Sequence, residues 1–313
     1  MLRNAEIQLG EPVEHRGIVV TPLFPRRDPV AAYVTLDEAL AGGLRIRETS
    51  ESGTVPELVV ENPLAERVLL YDGEELLGAK QNRILNVSVL VDAKSSLTIP
   101  VSCVEQGRWR RESADFAAAP HISHAELRRR KAETQAAAPL TRGVAQSEVW
   151  EAVQEKAMRM SVSSRTGASR DIYRHYERDL RALEGSFPAQ PGQCGAVLAI
   201  GESLCLDLVS RPDAFARLWP KLRAGYLLDA VERLDGKPSA QDEVDAFVRS
   251  IGAALTTRQP SAGLGEDVRL RGERVVGSGL ELDGEMLQLS AFRSEDGGRR
   301  AFGRIARPSR RGV

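Results

Sequence analysis

The sequence predicts an α+β protein, with a β-rich N-terminal half built from antiparallel hairpins and an α+β C-terminal half that contains most of the helices. Runs of β-branched residues separated by Pro or Gly dominate residues 1–110, and predicted strands come in groups rather than alternating singly with helices. We expect residues 111–146 to connect this β-rich part to an α+β part at 147–306, with a basic tail at 307–313. The parts can also form one integrated domain.

Strand patterns account for most of the first 110 residues. Apolar runs predict strands at 18–21, 31–35, 58–60, 68–71, 84–91 and 97–104. Thr35 and Glu38 form a capping box for one short helix among them. Asp72-Gly73 predicts a hairpin turn between the apolar runs on either side of it, and a related Asp283-Gly284 pair lies near the end of the chain.

Helical spacing begins in the Ala- and Arg-rich segment after residue 111. Ser123 and Glu126 predict a helix start, but no continuous apolar stripe follows, so we expect this helix to be exposed or to cover another element with one edge. Further helices are predicted at 147–160, 170–183, 214–234 and 240–255, with Pro220 ending or kinking the third of them. The remaining strands are predicted at 195–201, 204–209, 268–271, 275–282 and 286–292.

Composition argues against several classes of partner. The 43 Lys and Arg residues nearly balance 44 Asp and Glu residues, and a net charge of −1 provides no overall attraction for nucleic acid or anionic membranes. No apolar run approaches the ~18 residues of a membrane span, and the start of the chain lacks a signal-peptide pattern. We therefore expect a cytoplasmic protein with no nucleic-acid or membrane partner. Its oligomeric state does not follow from these properties.

The cysteine and histidine residues predict no metal site and no cofactor. Cys103, Cys194 and Cys205 match neither a disulfide framework nor zinc-site spacing, so we expect three reduced thiols. His121 and His124 are three residues apart, but His121 precedes the predicted helix start and would lie outside the helix.

Two neighbouring predicted strands carry polar residues at their ends. Before the strand at 84–91 and after the strand at 97–104 stand Gln81, Asn82, Arg83, Glu105, Arg108 and Trp109. If the two strands pair as a hairpin, these side chains lie close together. They offer a carboxylate for a sugar hydroxyl or a proton transfer, guanidinium groups for phosphate and an indole for stacking a base. This pattern predicts an anion or ribose clamp, with Glu105 as the candidate catalytic residue.

A structural role fits the same residues. Asn82 and Arg83 could bind loop carbonyls at a strand end, since buried polar groups are normally hydrogen-bonded. Glu105 and Arg108 could form a surface ion pair, and Trp109 could belong to the core. The spacing of these residues does not decide between the two interpretations.

A polar loop at 161–170 offers a second wall for such a site. It leads directly into a predicted helix, and its candidate ligand-binding residues are Ser163, Ser164 and Thr166. Hydroxyl groups and free helix N-terminal amides can bind an anion. The loop lacks P-loop spacing, so nucleotide hydrolysis is not predicted. An ordinary capped loop between two helices is the alternative.

The runs Gly73–Arg83 and Ile99–Trp109 resemble a bacterial family of unknown biochemical function, named for its association with ADP-ribosylglycohydrolases and rhodanese-phosphatases. The resemblance continues at Val149-Trp150, at 163–166 and at 195–197, and therefore covers most of the chain. It implies one family unit and a role near NAD-derived or ADP-ribose metabolism. It implies neither a reaction nor an established catalytic residue.

Two functions stay open on these grounds. In the first, the protein binds or processes ADP-ribose or a related nucleotide-derived small molecule: the arginines bind pyrophosphate, Asn82 and Glu105 hold ribose hydroxyls, and Trp109 stacks on adenine. In the second, it is a noncatalytic interaction module in which the polar residues lock strand ends and an exposed apolar patch recruits a protein partner. The family resemblance favours the first function.

Overall fold

The computed structural model describes residues 7–138, 142–233, 237 and 239–294. Within these ranges the chain has the predicted α+β architecture, with sheets of nine, six and three strands. The strands are β1 (Ile7–Leu9), β2 (Val13–His15), β3 (Ile18–Pro25), β4 (Val34–Thr35), β5 (Arg45–Glu48), β6 (Glu57–Asn62), β7 (Val68–Leu70), β8 (Glu74–Gly78), β9 (Arg83–Leu85), β10 (Val89–Val91), β11 (Ser95–Cys103), β12 (Phe116–Ile122), β13 (Gly195–Ile200), β14 (Ser203–Val209), β15 (Leu255–Pro260), β16 (Glu266–Arg271), β17 (Val275–Leu282) and β18 (Glu285–Arg293).

Most helices follow the first twelve strands, as predicted. They are α1 (Leu36–Ala41), α2 (Ala125–Ala137), α3 (Gln146–Arg159), α4 (Ser169–His175), α5 (Glu177–Glu184), α6 (Pro212–Val231) and α7 (Gln241–Ala253). In the described part of the chain, no helix combines the length and the apolar character that a membrane crossing requires.

The nine-stranded sheet unites the two ends of the chain. Its strand order is β1-β3-β13-β14-β18-β17-β16-β15, with β2 also paired to β3, and every pairing is antiparallel. The predicted Asp283-Gly284 turn joins β17 to β18, and both of its residues have positive φ (51° and 84°). Helix α7 packs on one face of this sheet, whereas α2 and α6 pack on the other. The sheet is therefore buried on both faces along most of its width.

The six-stranded sheet carries the polar residues that the sequence singles out. Its order is β12-β8-β9-β11-β6-β5, and the three-stranded sheet β10-β7-β4 shares an apolar core with it. Arg47 on β5 binds Asp115, just before β12, at 2.9 Å. The two edges of the six-stranded sheet thus approach each other.

Two predictions for the N-terminal half are wrong. The apolar run at 84–91 is not one strand: β9 pairs with β8 and β11, whereas β10 pairs with β7 in another sheet. Asp72-Gly73 does form a turn, with Gly73 at φ 83°, but β7 and β8 on either side belong to different sheets and do not form a hairpin. In both places one local pattern serves two sheets, which local periodicity cannot reveal.

Several helix limits also differ from the predictions. The helix predicted at 170–183 is divided at Tyr176 into α4 and α5, and α6 continues through Pro220 without ending. Helix α2 is capped by His124 rather than by Ser123, since the His124 ring accepts a hydrogen bond from the Leu127 amide at 3.3 Å. The α6 helix is buried along much of its length, so its packing outweighs the cost of an internal proline.

The segment predicted as a connection contains two ordered elements. Strand β12, which the sequence did not predict, pairs with β8. Helix α2 covers β16–β18 with a face that includes fully buried Arg128 and Lys131, so the second alternative for this helix is confirmed. The division of the chain at residues 110 and 146 stays a prediction, as does the basic tail at 307–313, which lies outside the described residues.

Candidate functional site

The three polar segments converge at the ends of β9 and β11. Cys103 pairs with Arg83 in the strand register, which sets residues 81–83 beside residues 104–109. The loop at 161–168 joins them, since the Gly107 amide donates to the Thr166 carbonyl at 2.7 Å. We call Gln81, Asn82, Arg83, Glu105, Arg108, Trp109 and Thr166 the strand-end cluster.

Glu105 connects three segments of the strand-end cluster through hydrogen bonds to its carboxylate. Its carboxylate accepts hydrogen bonds from the Asn82 amide (3.1 Å), the Arg108 Nε (2.8 Å) and the Thr166 hydroxyl (3.0 Å). Burial alone would raise the pKa of Glu105, but these hydrogen bonds and the Arg108 charge outweigh it and lower the pKa. The carboxylate therefore stays ionised, which suits a positioning role better than proton donation.

Arg108 has acceptors for all its N–H groups. Besides Glu105, they are the carbonyl oxygens of Gly78, Ala79 and Arg110 and the side-chain oxygen of Asn82, at 2.9 to 3.2 Å. The Arg108 side chain is only 6% exposed. The predicted surface pair of Arg108 and Glu105 is thus a buried pair, and Arg108 already uses its donors inside the protein.

Arg83 differs from Arg108 because two of its nitrogen atoms have no oxygen acceptor at hydrogen-bond distance, although Glu48 and Cys103 lie beside the guanidinium. Its Nη1 donates to the backbone and side-chain oxygens of Gln81, whose own amide donates to the Glu105 carbonyl at 2.9 Å. Its Nη2 lies 3.9 Å from a Glu48 oxygen, and neither Nε nor Nη2 has an oxygen acceptor. The residue is fully buried, and burial is the main cause that lowers its pKa. Such unpaired buried donors are rare in proteins and commonly bind a water molecule or a ligand.

Other buried polar atoms of this part of the protein also lack hydrogen-bond partners. The second Glu48 oxygen and the Asn82 side-chain nitrogen are buried without hydrogen-bond partners. Trp150 and Arg83 both interact with Cys103 on β11. Glu48, Cys103 and, through Cys103, Trp150 therefore lie near the Arg83 side chain.

Trp109 is half-exposed rather than part of the core. It has 51% relative exposure, and its ring centroid lies 5.9 Å from the Arg83 guanidinium carbon and 5.3 Å from the Lys80 ammonium nitrogen. Arg110 and Arg165, from the two adjoining loops, are exposed. An open indole ring next to several cations is a surface on which an anionic, aromatic ligand can bind.

The loop at 161–170, predicted as a second wall of the site, contributes only part of its predicted residues. Thr166 binds Glu105, but the Ser164 hydroxyl donates to Asp171 at 2.6 Å and accepts from the Ala168 amide at 3.0 Å, so it holds its own loop. Ser163 is exposed. Of the three predicted residues of this loop, Thr166 is the one bonded to the strand-end cluster.

The backbone before the cluster has unusual conformations. Gly78 has φ 121°, and Ala79, which has a Cβ, has φ 40°. The Ala79 amide and carbonyl are held by Ser113 and Arg108 at 2.9 Å. Strained backbone that the surroundings hold in place is frequent near functional sites.

Two cavities lie outside the strand-end cluster. One of about 650 Å³ is lined by residues including Tyr33, Arg67 and Arg211. The other, of about 980 Å³, is a cleft whose lining includes parts of α2 and α3. Neither lining includes a residue of the strand-end cluster.

The histidine residues considered for a metal site have other partners. The His121 ring bonds Glu75 at 2.9 Å and stacks on Tyr173. His124 lies near Glu126 and Asp229, a group with metal-binding composition. Lys156 already binds the Asp229 carboxylate at 2.5 Å, so that carboxylate is neutralised by a protein cation.

A buried charge network lies between the sheets, and the sequence patterns did not predict it. Asp207 on β14 accepts hydrogen bonds from Tyr71, Tyr226 and Ser290, and Arg128 binds both of its oxygens at 2.7 Å. The only signal in the sequence is a single charged residue inside an apolar strand pattern, as at Leu206-Asp207-Leu208. The network connects α2, α6 and the residue that follows β7, Tyr71, to the nine-stranded sheet.

Comparison with known proteins places the chain in a family. No curated protein and no solved structure matches the chain significantly. Residues 6–292 match the family described as the ARG and Rhodanese-Phosphatase-superfamily-associated Protein domain, and this match confirms the resemblance carried by the runs at 73–83 and 99–109. Because the match spans nearly the whole chain, the protein belongs to the family of ARG and rhodanese-phosphatase-superfamily-associated proteins.

Proposed function

We propose that the protein binds a nucleotide derivative of the ADP-ribose type at the strand-end cluster. The observation that carries the proposal is the buried guanidinium of Arg83, two of whose nitrogen atoms have no oxygen acceptor at hydrogen-bond distance, next to the half-exposed ring of Trp109. Guanidinium groups bind phosphate oxygens, and an exposed indole stacks on a base. The family's association with ADP-ribosylglycohydrolases supports a ligand that combines the two chemistries.

Each residue of the cluster has a distinct role in this proposal. Arg83 and Lys80 bind the phosphates, and Trp109 stacks on adenine. Because Arg83 is fully buried, the ligand reaches its free donors when the Trp109 ring moves aside to stack on the base. Glu105 and Arg108 hold the surrounding backbone, since their polar atoms are already bonded to each other and to neighbouring groups.

Titration of ADP-ribose, followed by calorimetry and tryptophan fluorescence, tests the proposal. We expect Trp109→Ala to weaken ADP-ribose binding by about 5- to 150-fold, since stacking on one base contributes about 1–3 kcal/mol. Binding of ribose 5-phosphate, which has no base, should not weaken in this variant. Arg83→Gln should weaken both ligands. Chromatography of the incubated ADP-ribose shows whether the bound ligand is also converted.

Arg223→Gln is a matched control. Arg223 on α6 also has one unpaired buried nitrogen, and it donates to the Phe187 carbonyl at 2.9 Å, outside the cluster. This variant should bind ADP-ribose as the wild type does. Unchanged affinity in Arg83→Gln, or no saturable binding of ADP-ribose, NAD or AMP by the wild type, would overturn the proposal and favour the interaction-module alternative.

A further inference from the structure

A row of polar side chains crosses the nine-stranded sheet under α2. Register pairs Asp207 with Ser290, Ser290 with Ser278, and Ser278 with Arg269, on the adjacent strands β14, β18, β17 and β16. Directly paired residues point to the same face of a sheet. We call Asp207, Ser290, Ser278 and Arg269 the polar row. All four are buried, with at most 5% exposure.

Helix α2 places two cations over this row. Arg128 and Lys131 are three residues apart and therefore share one face of the helix. Arg128 binds Asp207 and Ser290 at one end of the row. Lys131 binds Asp72 at 2.6 Å and also interacts electrostatically with Arg269, at the other end. The two ends of the row differ because only the Asp207 end is fully neutralised.

The Arg269 end has more positive than negative charge. Arg128 is matched by Asp207 and Lys131 by Asp72, but Arg142 and Arg269 share the single carboxylate of Asp267, at 3.2 and 3.7 Å. Burial raises the pKa of Asp267, which further weakens its power to balance two guanidinium groups. Unbalanced charge is costly in a buried region, and a bound ion of opposite sign removes the cost.

Arg269 also has donors without acceptors. Its Nε and Nη2 atoms are buried and have no hydrogen-bond partner, although the residue is only 3% exposed. The side-chain nitrogen of Gln259, which pairs with Asp267 in the strand register, also has no acceptor, and the Nε of Arg128 has only Asp72, at 3.9 Å. All of these unpaired atoms are nitrogen donors, so they fit an anion rather than a cation.

The cleft of about 980 Å³ adjoins this place. Lys131 belongs both to the cleft, which it lines, and to the group of charges beside Arg269. Arg271 also lines the cleft and stands two residues from Arg269 on β16, so the two side chains share a face of the sheet. The cleft thus reaches Lys131, one of the cations beside the Arg269 end of the row.

We propose that the Arg269 end of the polar row, together with Lys131 and Arg142, binds a small inorganic oxyanion of the phosphate or sulfate type. A tetrahedral oxyanion accepts hydrogen bonds in several directions and neutralises the excess charge at once. Bound there, it stabilises the contact between α2 and the nine-stranded sheet. The proposal does not depend on the ligand of the strand-end cluster.

Thermal unfolding of the full chain with inorganic phosphate tests this site. Melting temperatures are compared in phosphate, sulfate and chloride at equal ionic strength, so that general screening cancels. Phosphate or sulfate should raise the melting temperature in proportion to the logarithm of its concentration once the site is near saturation. The series is repeated in the Arg83→Gln variant, so that phosphate bound at the strand-end cluster cannot account for the rise in melting temperature.

Substitutions locate the site. Arg269→Gln should reduce the affinity for phosphate by about tenfold or more, whereas Arg258→Gln, an exposed change on the neighbouring strand β15, should not. If Arg269→Gln does not fold, Arg142→Gln replaces it, because the Arg142 side chain is 35% exposed and should tolerate the change. The proposal is overturned if neither oxyanion stabilises the wild type more than chloride does, or if the folded variant keeps the full phosphate response.

Discussion

Replacement of Arg108 by methionine should destabilise the fold strongly. The change leaves the Glu105 carboxylate and the Asn82 side-chain oxygen buried without their cation. Removing one partner of a buried ion pair typically costs about 3–5 kcal/mol. With 313 residues and an unfolding entropy of about 2.1 cal/mol/K per residue, this loss corresponds to a decrease in melting temperature of about 5–8 °C.

The destabilisation should also depend on pH. Burial alone would raise the pKa of Glu105, but its hydrogen bonds to Arg108, the Asn82 amide and Thr166 lower it. A lowered pKa contributes stability that is fully present above the unfolded value of about 4.3 and is lost as the pH falls through the folded value. The difference between wild type and Arg108→Met should therefore be largest near neutral pH and shrink in acid. Urea denaturation followed by circular dichroism, at several pH values, measures it.

A double variant identifies the source of this loss. If the pair is responsible, Arg108→Met costs less free energy of unfolding in a Glu105→Gln background than in the wild type. Arg47→Met is the control, because Arg47 forms ion pairs at 38% exposure and should contribute no more than about 1 kcal/mol. Full additivity of the two changes, or a cost of Arg108→Met no larger than that of the control, would refute the reasoning.

Further substitutions probe the buried contacts elsewhere. Tyr71→Phe removes a 2.6 Å hydrogen bond to the Asp207 side chain, which also pairs with Arg128, and should cost about 1.5–3 kcal/mol in urea denaturation. Burial alone would raise the pKa of Asp229, but Lys156 and His124 lower it well below its usual range, so the charged carboxylate stabilises the fold until the pH becomes strongly acidic. Lys156→Met should therefore reduce the amount of stability that is lost in acid. Acid titration followed by circular dichroism measures this loss. Gly225→Ala should lower the melting temperature, since a Cβ there would lie 2.6 Å from a backbone oxygen at the end of β12.

Local patterns predicted the elements of this fold better than their partners. The capping box of Thr35 and Glu38 is present, with the Thr35 amide donating to Glu38 at 2.9 Å. By contrast, the apolar run at 84–91 contains no signal that β9 and β10 join different sheets, because partner choice depends on distant strands. Strand β12 was missed because it is rich in Ala and contains Pro120, which lies where its register with β8 shifts.

The sequence predicted the position of the candidate site better than it predicted which of its side chains already have hydrogen-bond partners. The register of Cys103 with Arg83 follows from a hairpin-like pairing, so the sequence indicated that the polar segments could meet. Whether an arginine is saturated, as Arg108 is, or has free donors, as Arg83 has, depends on carbonyl groups that other segments bring near. The polar row gave even less signal, since Arg269 stands alone between two apolar residues.

The two Asp-Gly turns differ in how much a glycine-to-alanine change should cost, because their surroundings differ. Gly73 and Gly284 have nearly the same φ, 83° and 84°, yet a Cβ on Gly73 would lie 3.0 Å from the Arg128 side chain, whereas one on Gly284 would meet nothing within 4 Å. Gly284→Ala should therefore cost only the backbone strain, about 1 kcal/mol. Gly73→Ala should cost about 2–3 kcal/mol, because Arg128 is held by Asp207 and cannot easily give way. Gly185→Ala, at φ −64° and with open space, is the control and should change the free energy of unfolding by less than about 1 kcal/mol. Equal costs at the two turns would show that Arg128 is free to move, and that the polar row does not fix α2 against the sheet.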